Sequence, residues 1–357
     1  MFLLLLISLC EPVQAETYAF SLQWGGTGSA NGQFERPWGI AIDGNNNVYV
    51  TQLANPRVQK FSSSGVFLGS WGIYGSADGN FFNPRGICVD ISGNVYVADM
   101  ANHRIQKFSC NGTFLDVWGS FGESDGQFSH PDGVAVDGNG NVYVADTWNC
   151  RIQKFSSDGV FLAKWGSFGS VDGQFNFTGD VAVDSEGNVY VADTWNQRIQ
   201  KFSSDGLFLN KWGTAGFGDG QFKNPCRVTI DISGNVYVAD KFNHRIEKFT
   251  KDGVFLDKWG STGSGEGQFI TPWGIAIDSL CNVYVVDTRN DRVQKFSPIA
   301  PPTVLPSPIP SFSENNQENN QLTSILTITI ITIGAFIFLF ILNRRHQSSH
   351  DSTPIVS

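Results

Sequence analysis

The chain has 357 residues, with 33 acidic and 24 basic side chains and a formal net charge of −9 at pH 7. Residues 16–297 keep 29 of the acids and 22 of the bases, a net charge of −7, once the terminal charges are set aside: Glu11, Glu314, Glu318, Asp351, Arg344 and Arg345. Affinity for nucleic acid comes largely from the neutralisation of phosphates by Lys and Arg. This balance therefore disfavours binding to nucleic acid, and we expect no such partner.

The first fifteen residues, 1–15, predict a secretory signal peptide. The eight residues from Phe2 to Leu9 are apolar except for Ser8, and Val13-Gln14-Ala15 ends on a small residue that suits signal peptidase. Such a run is too short to cross a hydrocarbon core of about 30 Å. We expect cleavage near Ala15 and export of the segment that follows.

A repeat with a period of 47 residues begins after the signal peptide. The pair Trp-Gly recurs at this interval from the first copy to the last, at Trp24, Trp71, Trp118, Trp165, Trp212 and Trp259. The triplet Val-Tyr-Val keeps the same step, starting at Val48, Val95, Val142, Val189, Val236 and Val283. Self-similarity at a fixed period of this length indicates a repeat architecture.

Each repeat predicts four short strands. In the third copy these are Gly133–Asp137, Asn141–Asp146, Arg151–Phe155 and Val160–Trp165, separated by Gly, Asn, Asp and Ser. The first strand is small and apolar, as an inner strand around a propeller channel should be. In the third strand Gln153 and Lys154 alternate with apolar residues, which predicts a half-exposed outer strand.

The phase of the repeat predicts how the ring closes. The last copy stops at Arg292–Phe296 without a fourth strand, while Tyr18–Trp24 is a fourth strand with nothing before it. Pairing the two would complete the last blade and cover an exposed sheet edge. The sequence therefore predicts an all-β fold over residues 16–297, a six-bladed β-propeller whose N-terminal strand closes the last blade. An open solenoid of six units is the other architecture compatible with the pattern.

The segment after the propeller predicts a stalk and a membrane anchor. Residues 298–321 are rich in proline and then polar, a composition that favours extended chain over a packed core. Residues 322–342 contain 21 residues without a charge, enough for a C-terminal transmembrane helix. Arg344 and Arg345 begin the tail 343–357, and basic residues beside a span stay in the cytoplasm. We expect a single-pass protein of the cell membrane with its propeller on the extracytoplasmic side.

The repeat unit resembles the NHL repeat. The resemblance rests on Asn102-His103-Arg104-Ile105 and Asn243-His244-Arg245-Ile246, each preceded by Val-Tyr-Val-Ala-Asp, and it covers residues 18–296. It implies a six-bladed β-propeller but no single function, because the family includes RNA-binding and protein-binding domains, sensor domains of bacterial kinases and the amidating lyase.

Residues shared by nearly all copies are interpreted as structural. An aspartate ends each inner strand, where it can accept hydrogen bonds from turn amides: Asp43, Asp90, Asp137, Asp184, Asp231 and Asp278. In five copies a second aspartate precedes an arginine by five residues, as in Asp146 and Arg151, and we expect a bidentate pair between them. The first copy has Gln52 in place of this aspartate, so Arg57 should be freer than its counterparts.

Positions where the copies differ are the candidates for function. The residue at the entrance of the inner strand, expected at the channel mouth, varies in nearly every copy: Trp38, Arg85, Asp132, Gly179, Cys226 and Trp273. The next residue is glycine in four copies but Asp180 and Arg227 in blades four and five, and we expect a salt bridge between these two. The loop between the second and third strands should open on the same face, and in blades three to five it carries Trp148, Trp195 and Phe242.

We call this side of the propeller the mouth face. Exposed tryptophans commonly mark interaction surfaces, although each could instead pack on a neighbouring blade. The sequence-based hypothesis is a cell-surface recognition or adhesion scaffold that binds a protein or carbohydrate ligand without a cofactor. The predicted ligand-binding residues are Trp38, Arg85, Asp132, Trp148, Asp180, Trp195, Arg227 and Trp273.

The alternative hypothesis is a metal-dependent propeller lyase or hydrolase. The resemblance implies that such an enzyme would hold zinc through histidines of several blades, or calcium through oxygen ligands. His103 and His244 occupy equivalent loops of blades two and five, on opposite sides of a six-fold ring, and cannot share one metal at about 2.0 Å per ligand. We therefore assign no metal ligands and no catalytic residues.

Two sequons predict glycosylation on the secretory route. They are Asn111-Gly-Thr113, expected in a loop of the opposite face, and Asn176-Phe-Thr178, expected near the mouth.

Overall fold

The computed structural model of the chain describes residues 17–299. The predicted signal peptide 1–15, nearly all of the predicted stalk 298–321, the predicted transmembrane helix 322–342 and the tail 343–357 lie outside the described residues. No helix within residues 17–299 has the length and apolar character that a membrane crossing needs.

The described residues form six four-stranded antiparallel blades, as the repeat predicts. Blade one consists of β2 (Pro37–Ile42), β3 (Val48–Gln52), β4 (Arg57–Phe61) and β5 (Phe67–Trp71). Blade two consists of β6 (Pro84–Val89), β7 (Val95–Asp99), β8 (Arg104–Phe108) and β9 (Phe114–Trp118). Blade three consists of β10 (Pro131–Val136), β11 (Val142–Asp146), β12 (Arg151–Phe155) and β13 (Phe161–Trp165).

The second half of the ring repeats this order. Blade four consists of β14 (Thr178–Val183), β15 (Val189–Asp193), β16 (Arg198–Phe202) and β17 (Phe208–Trp212), followed by a short parallel pair, β18 (Thr214–Ala215) and β19 (Gln221–Phe222). Blade five consists of β20 (Pro225–Ile230), β21 (Val236–Asp240), β22 (Arg245–Phe249) and β23 (Phe255–Trp259). Blade six consists of β24 (Pro272–Ile277), β25 (Val283–Asp287), β26 (Arg292–Ile299) and β1 (Thr17–Gly25).

The hydrophobic core lies between neighbouring blades. In each Val-Tyr-Val triplet the tyrosine is fully buried, because it points to one neighbouring blade while the two valines point to the other. One cluster, for example, joins Tyr143 and Ile152 of blade three to Val181 and Phe202 of blade four. Every blade is thus stabilised by burial against both of its neighbours.

The N-terminal strand completes blade six, as predicted, and the open solenoid is excluded. β1 pairs with β26 in antiparallel register from Thr17 opposite Ile299 to Gly25 opposite Arg292. Tyr18 stacks on Trp259 of blade five with ring centroids 4.8 Å apart, and its hydroxyl lies 2.8 Å from that of Tyr237. The closing strand is therefore held both by its ladder and by side chains packed on the preceding blade.

The aspartates at the ends of the inner strands have the predicted structural role. Asp43 Oδ1 accepts hydrogen bonds from the backbone amides of Asn45 and Asn47 at 2.9 and 2.8 Å. Its Oδ2 accepts a bond from the buried hydroxyl of Tyr49 at 2.9 Å. One carboxylate thus fixes both the turn and the tyrosine that follows it.

The Asp–Arg pairs differ from the prediction, because they are not bidentate. Arg104 donates to Asp99 only through Nε, at 2.9 Å, while its Nη2 donates to the backbone carbonyls of Ala77 and Asn80. The guanidinium therefore ties the second and third strands to the connection between blades. In blade one Arg57 keeps its two carbonyl partners, but its buried Nε has no partner, which agrees with the expected effect of Gln52.

The prediction of a half-exposed third strand is wrong for its glutamine. Gln153 is fully buried. Its Nε2 donates to the carbonyl of Gln127 at 2.6 Å and to Asp146 at 3.1 Å, while its Oε1 accepts from the amide of Gly126 at 3.0 Å. Burial is tolerated because every hydrogen-bonding direction of the amide is used.

Blade five has Glu247 at this buried position, beside the guanidinium of Arg245. Burial raises the pKa of Glu247 to about 8; Arg245 opposes this shift and Asp240 adds to it. A glutamate that keeps its proton retains a hydroxyl donor where the other blades have an amide donor. Ionisation would remove that donor and place a second negative charge next to Asp240.

The aromatic contacts of Tyr18 predict a measurable contribution to stability. Tyr18→Ala should lower the free energy of unfolding by about 2 kcal/mol, because it removes a half-buried ring from the closing strand. Chemical denaturation of the two proteins measures the difference. Tyr74→Ala is the matched control, since Tyr74 is 65% exposed in a blade connection. Equal losses in the two variants would contradict the importance of the closing strand.

Glu247 predicts a pH-dependent stability. The folded state keeps the proton up to a pKa of about 8, whereas an unfolded glutamate loses it near 4.5. Wild-type stability should therefore fall as pH rises between these values, while Glu247→Gln should not, so that their unfolding free energies diverge by roughly 2 to 5 kcal/mol between pH 5 and pH 9.

Thermal and denaturant unfolding across this pH range measure the divergence. The reciprocal control is Gln200→Glu, which places a glutamate at the equivalent buried position of blade four. This variant should acquire the pH dependence that Glu247→Gln loses. Parallel pH profiles for Glu247→Gln and wild type would show that Glu247 is already ionised at neutral pH.

Candidate functional site

The inner strands of all six blades surround a central channel. A cavity of about 220 Å³ in it is lined mainly by Ile, Val and Ala side chains, with Asp180 and Arg227 among its lining residues. Inner strands supply these small apolar residues because six of them converge on one axis. The channel wall thus offers few polar side chains below its mouth.

A buried ion network closes part of the mouth. Asp132 of blade three binds Arg85 of blade two at 2.6 Å and Arg227 of blade five at 2.5 Å. The predicted pair of Asp180 and Arg227 is present, at 3.8 Å, but it is the longer contact of that arginine. The sequence predicts neighbouring blades in contact, whereas Arg227 reaches past blade four to blade three.

The charges in this network are shifted by their surroundings. Burial alone would raise the pKa of Asp132, but Arg227 and Arg85 hold it below its usual range. Burial raises the pKa of Asp180 to about 6, with Arg227 opposing the shift. Asp132 is therefore the ionised centre of the network, and both of its oxygens are occupied by guanidinium groups.

Trp38 and Trp273 form the centre of a stacked column beside the network. Their ring centroids lie 3.5 Å apart, with the rings tilted by 35°. The guanidinium of Arg85 lies 4.5 Å from Trp38, and Lys241 Nζ lies 3.6 Å from Trp273. Both ring faces of each tryptophan are thus covered, and these residues present edges rather than open faces to a ligand.

Trp148 and Trp195 are the exposed tryptophans of the mouth face, at 63% and 58% exposure. Each belongs to a short 3₁₀ turn, Thr147–Asn149 or Thr194–Asn196. One face of Trp148 stacks on His130 at 4.4 Å, and one face of Trp195 stacks on Phe177 at 4.9 Å. Each ring therefore packs on the connection that enters its own blade and not on a neighbouring blade, and more than half of each side chain stays exposed.

The mouth face also contains Lys241, which sequence analysis overlooked, beside Phe242, which it placed in the loop but did not include among the ligand-binding residues. Lys241 and Phe242 follow β21, and Phe242 is 42% exposed. The positions equivalent to Lys241 in the other blades are Leu53, Met100, Thr147, Thr194 and Thr288. Comparison of the six copies would therefore have identified Lys241 as a variable position. Burial lowers the pKa of Lys241, and within residues 17–299 no carboxylate forms an ion pair with it.

Two cavities flank Lys241. The larger, which we call the mouth pocket, has a volume of about 590 Å³, and its lining includes Arg36, Trp38, Arg85, Lys241, Trp273 and Arg289. The smaller, of about 210 Å³, lies between Trp195 and Phe242. It sits over Gly179 and Cys226, the two smallest residues at the variable entrance position.

Sequence analysis did not anticipate one contact between histidines. His103 and His130 are neighbours, with ring centroids 4.5 Å apart, and His103 Nδ1 accepts the backbone amide of His130 at 3.1 Å. His244 makes the equivalent bond to Thr271 at 3.1 Å. Within residues 17–299, no group of three or more His, Cys, Asp or Glu residues is placed to hold a metal ion.

The two sequons lie where they were expected. Asn111 is exposed in the turn between β8 and β9, on the face opposite the mouth. Asn176 is half-buried near the mouth, where its backbone amide donates to Asp193 at 2.8 Å. The cysteines Cys88, Cys110, Cys150 and Cys226 form no disulfide.

Comparison with known proteins identifies the repeat. The NHL repeat profile matches residues 81–108, 128–155, 175–202 and 269–296. Each match starts at the phenylalanine before a blade and ends with its third strand, in blades two, three, four and six. The corresponding segments of blades one and five, which carry Gln52 and Glu247, are not matched. A sequence search finds no matching curated protein.

Several solved structures share the fold. An auxiliary nutrient binding protein from Bacteroides ovatus is 15% identical with a TM-score of 0.59, covering 80% of this chain and 78% of its own. A gluconolactonase from Xanthomonas campestris is 13% identical with a TM-score of 0.56, covering 80% and 98%. A chain of a nidogen/laminin complex is 18% identical with a TM-score of 0.51, covering 67% and 84%.

Identities this low establish the architecture alone, because one propeller fold carries unrelated functions. The chain therefore contains four matched NHL repeats, and its described residues form a six-bladed β-propeller.

Proposed function

We propose that the chain is a recognition or adhesion scaffold that binds a glycan or protein ligand on its mouth face. The observation that carries this proposal is the series of open aromatic faces on three successive blades, Trp148, Trp195 and Phe242. Large aromatic rings exposed beside a cavity are typical of interaction surfaces, because they gain much apolar contact at little cost in conformational freedom.

Further exposed rings extend the same surface. The connections that enter blades two to five carry Tyr74, Phe121, Phe168 and Phe217, with exposures of 65%, 67%, 72% and 71%. These connections run on the mouth face, since they lead into the inner strands there. A partner wider than a single sugar residue would therefore find contacts from the rim to the centre.

The solved structures with this fold give general support. They include a nutrient binding protein and a chain of a nidogen/laminin complex as well as a gluconolactonase. Binding proteins are thus represented among propellers of this architecture. The site residues of this chain favour binding over catalysis, because its mouth is formed by stacked aromatic rings and by ion pairs that satisfy one another.

The cell surface is the proposed location. The apolar segments 1–15 and 322–342 and the basic pair Arg344-Arg345 support export of the propeller and anchoring by a single C-terminal span. Residues 298–321 would then serve as the stalk between the propeller and the span.

The binding face is tested with a double variant, Trp148→Ala with Trp195→Ala. Binding to a ligand identified on glycan and surface-protein arrays should weaken at least tenfold, because two open ring faces are removed. The matched control is Ile91→Ala with Ile232→Ala, two exposed apolar residues in the turns of the opposite face, with exposures of 91% and 77%. Unchanged affinity in the tryptophan variant, or an equal loss in the control, would refute the assignment of this face.

The location is tested by glycosylation and membrane extraction. Expressed in a host with N-glycosylation, the full chain should carry a glycan on exposed Asn111 and remain with membranes after alkaline extraction. Asn111→Gln should increase gel mobility, and a chain ending at Ser297 should appear in the medium. An unmodified full chain in the soluble fraction would refute both export and anchoring.

A further inference from the structure

The mouth pocket has an unusual charge for this protein. Residues 16–297 have a net charge of −7, yet the lining of this pocket contains four cations, Arg36, Arg85, Lys241 and Arg289, and one carboxylate, Asp291. A concave site lined by one sign of charge concentrates ligands of the opposite sign. The local field of the pocket therefore favours an anion although the domain as a whole is acidic.

Most of these cations are available to a ligand. Arg85 is the exception, since it is paired with Asp132. No ion pair within residues 17–299 occupies Lys241, Arg36 or Arg289. Asp291 is already engaged by its own partners, because its oxygens accept the amide of Arg36 at 2.9 Å and the hydroxyl of Thr27 at 2.8 Å.

Lys241 is the least solvated of the three. Its ammonium lies over Trp273 at 3.6 Å and over Phe242 at 4.5 Å, and its burial lowers its pKa. Contact with aromatic faces holds the ammonium in place but does not neutralise its charge. An anionic group entering the pocket would meet a fixed, partly desolvated cation, and such charge-assisted bonds are the strong ones.

The pocket also carries unpaired polar atoms of both kinds. Five lining side chains have a buried polar atom without a hydrogen-bond partner within residues 17–299: Trp38 Nε1, Asn83 Oδ1, Arg85 Nε, Trp273 Nε1 and Thr288 Oγ1. Trp38 and Thr288 are themselves more than nine-tenths buried. The indole and guanidinium nitrogens donate, the amide oxygen accepts and the hydroxyl does both.

We infer that the mouth pocket binds an acidic sugar residue, with its anionic group held by Lys241 and its hydroxyls by the unpaired polar atoms. This inference rests on the proposed function, since it names the ligand class of the same face. A sugar ring carries hydroxyls that donate and accept in several directions, as the pocket requires. The anionic group supplies a counterion for the three cations that have no ion pair.

The pocket disfavours the simpler alternatives. A neutral sugar would leave Lys241 desolvated without a counterion, so it should bind less tightly than an acidic one. An acidic peptide would need room for an extended backbone as well as for its carboxylate. The cavity of about 590 Å³ is instead the size of a small-ligand site.

The experiment uses the purified full-length chain and isothermal titration calorimetry. Three disaccharides are compared: one ending in glucuronic acid, its neutral counterpart ending in glucose, and a sulfated glucose analogue. The acidic ligands should bind at least tenfold more tightly than the neutral one, and their advantage should shrink as salt is added. Whether the carboxylate or the sulfate binds more tightly identifies the natural anionic group.

Lys241→Met separates charge from packing, because methionine retains an apolar side chain over Trp273. This variant should lose about tenfold in affinity for the acidic disaccharides and keep its affinity for the neutral one. Lys223→Met is the matched control, since Lys223 lies over Phe217 at 5.2 Å on the same blade but outside the pocket. If Lys241→Met is unstable, Arg289→Gln at the exposed pocket edge provides the same test.

The outcomes distinguish this inference from the proposed function. Equal affinity for acidic and neutral disaccharides, or wild-type affinity for acidic ones in Lys241→Met and Arg289→Gln, would overturn the inference. Binding to a protein ligand but to none of the disaccharides would also overturn it, while the scaffold function survives. Absence of any ligand on glycan and protein arrays would overturn both.

Discussion

The pairing of β1 with β26 is the contact on which the rest of the propeller depends. Each blade buries its residues only against two neighbours, so blades one and six become stable when the chain ends meet in a single sheet. The same closure assembles the site, because Trp38 comes from blade one and Trp273 from blade six, almost a full ring apart in sequence. Closure of the ring and assembly of the mouth therefore depend on the same contact.

Within the ring, conserved contacts and variable ones occupy separate places. Asp, Arg and Gln side chains shared by the blades bind the turns and connections, and none of these hydrogen bonds uses the side chain at the entrance of an inner strand. The blade therefore tolerates different side chains at that entrance. In this chain they form an ion network and a stacked aromatic column. Glu247 is the exception, since it replaces the glutamine shared by the other blades, and burial raises its pKa and so favours the protonated form.

The sequence predicted the strands and the closure because a period of 47 residues and its phase are visible along the chain. It did not predict that Gln153 is buried, since its partners come from a connection 26 residues away. It also missed the bond from Arg227 to Asp132, 95 residues away. Strand register fixes which backbones pair, but not how far a long arginine side chain extends across the mouth. Lys241 could have been found by the comparison of copies that revealed the tryptophans.

The ion network explains why Lys241 remains without a counterion. Asp132 is the acidic centre of the mouth, but both of its oxygens are taken by guanidinium groups, and desolvated ion pairs do not exchange partners without losing bonds on both sides. Trp273 in turn holds the ammonium at a fixed place, away from water. Within residues 17–299 this positive charge is therefore left without an ion pair beside a cavity, where an anionic ligand can neutralise it.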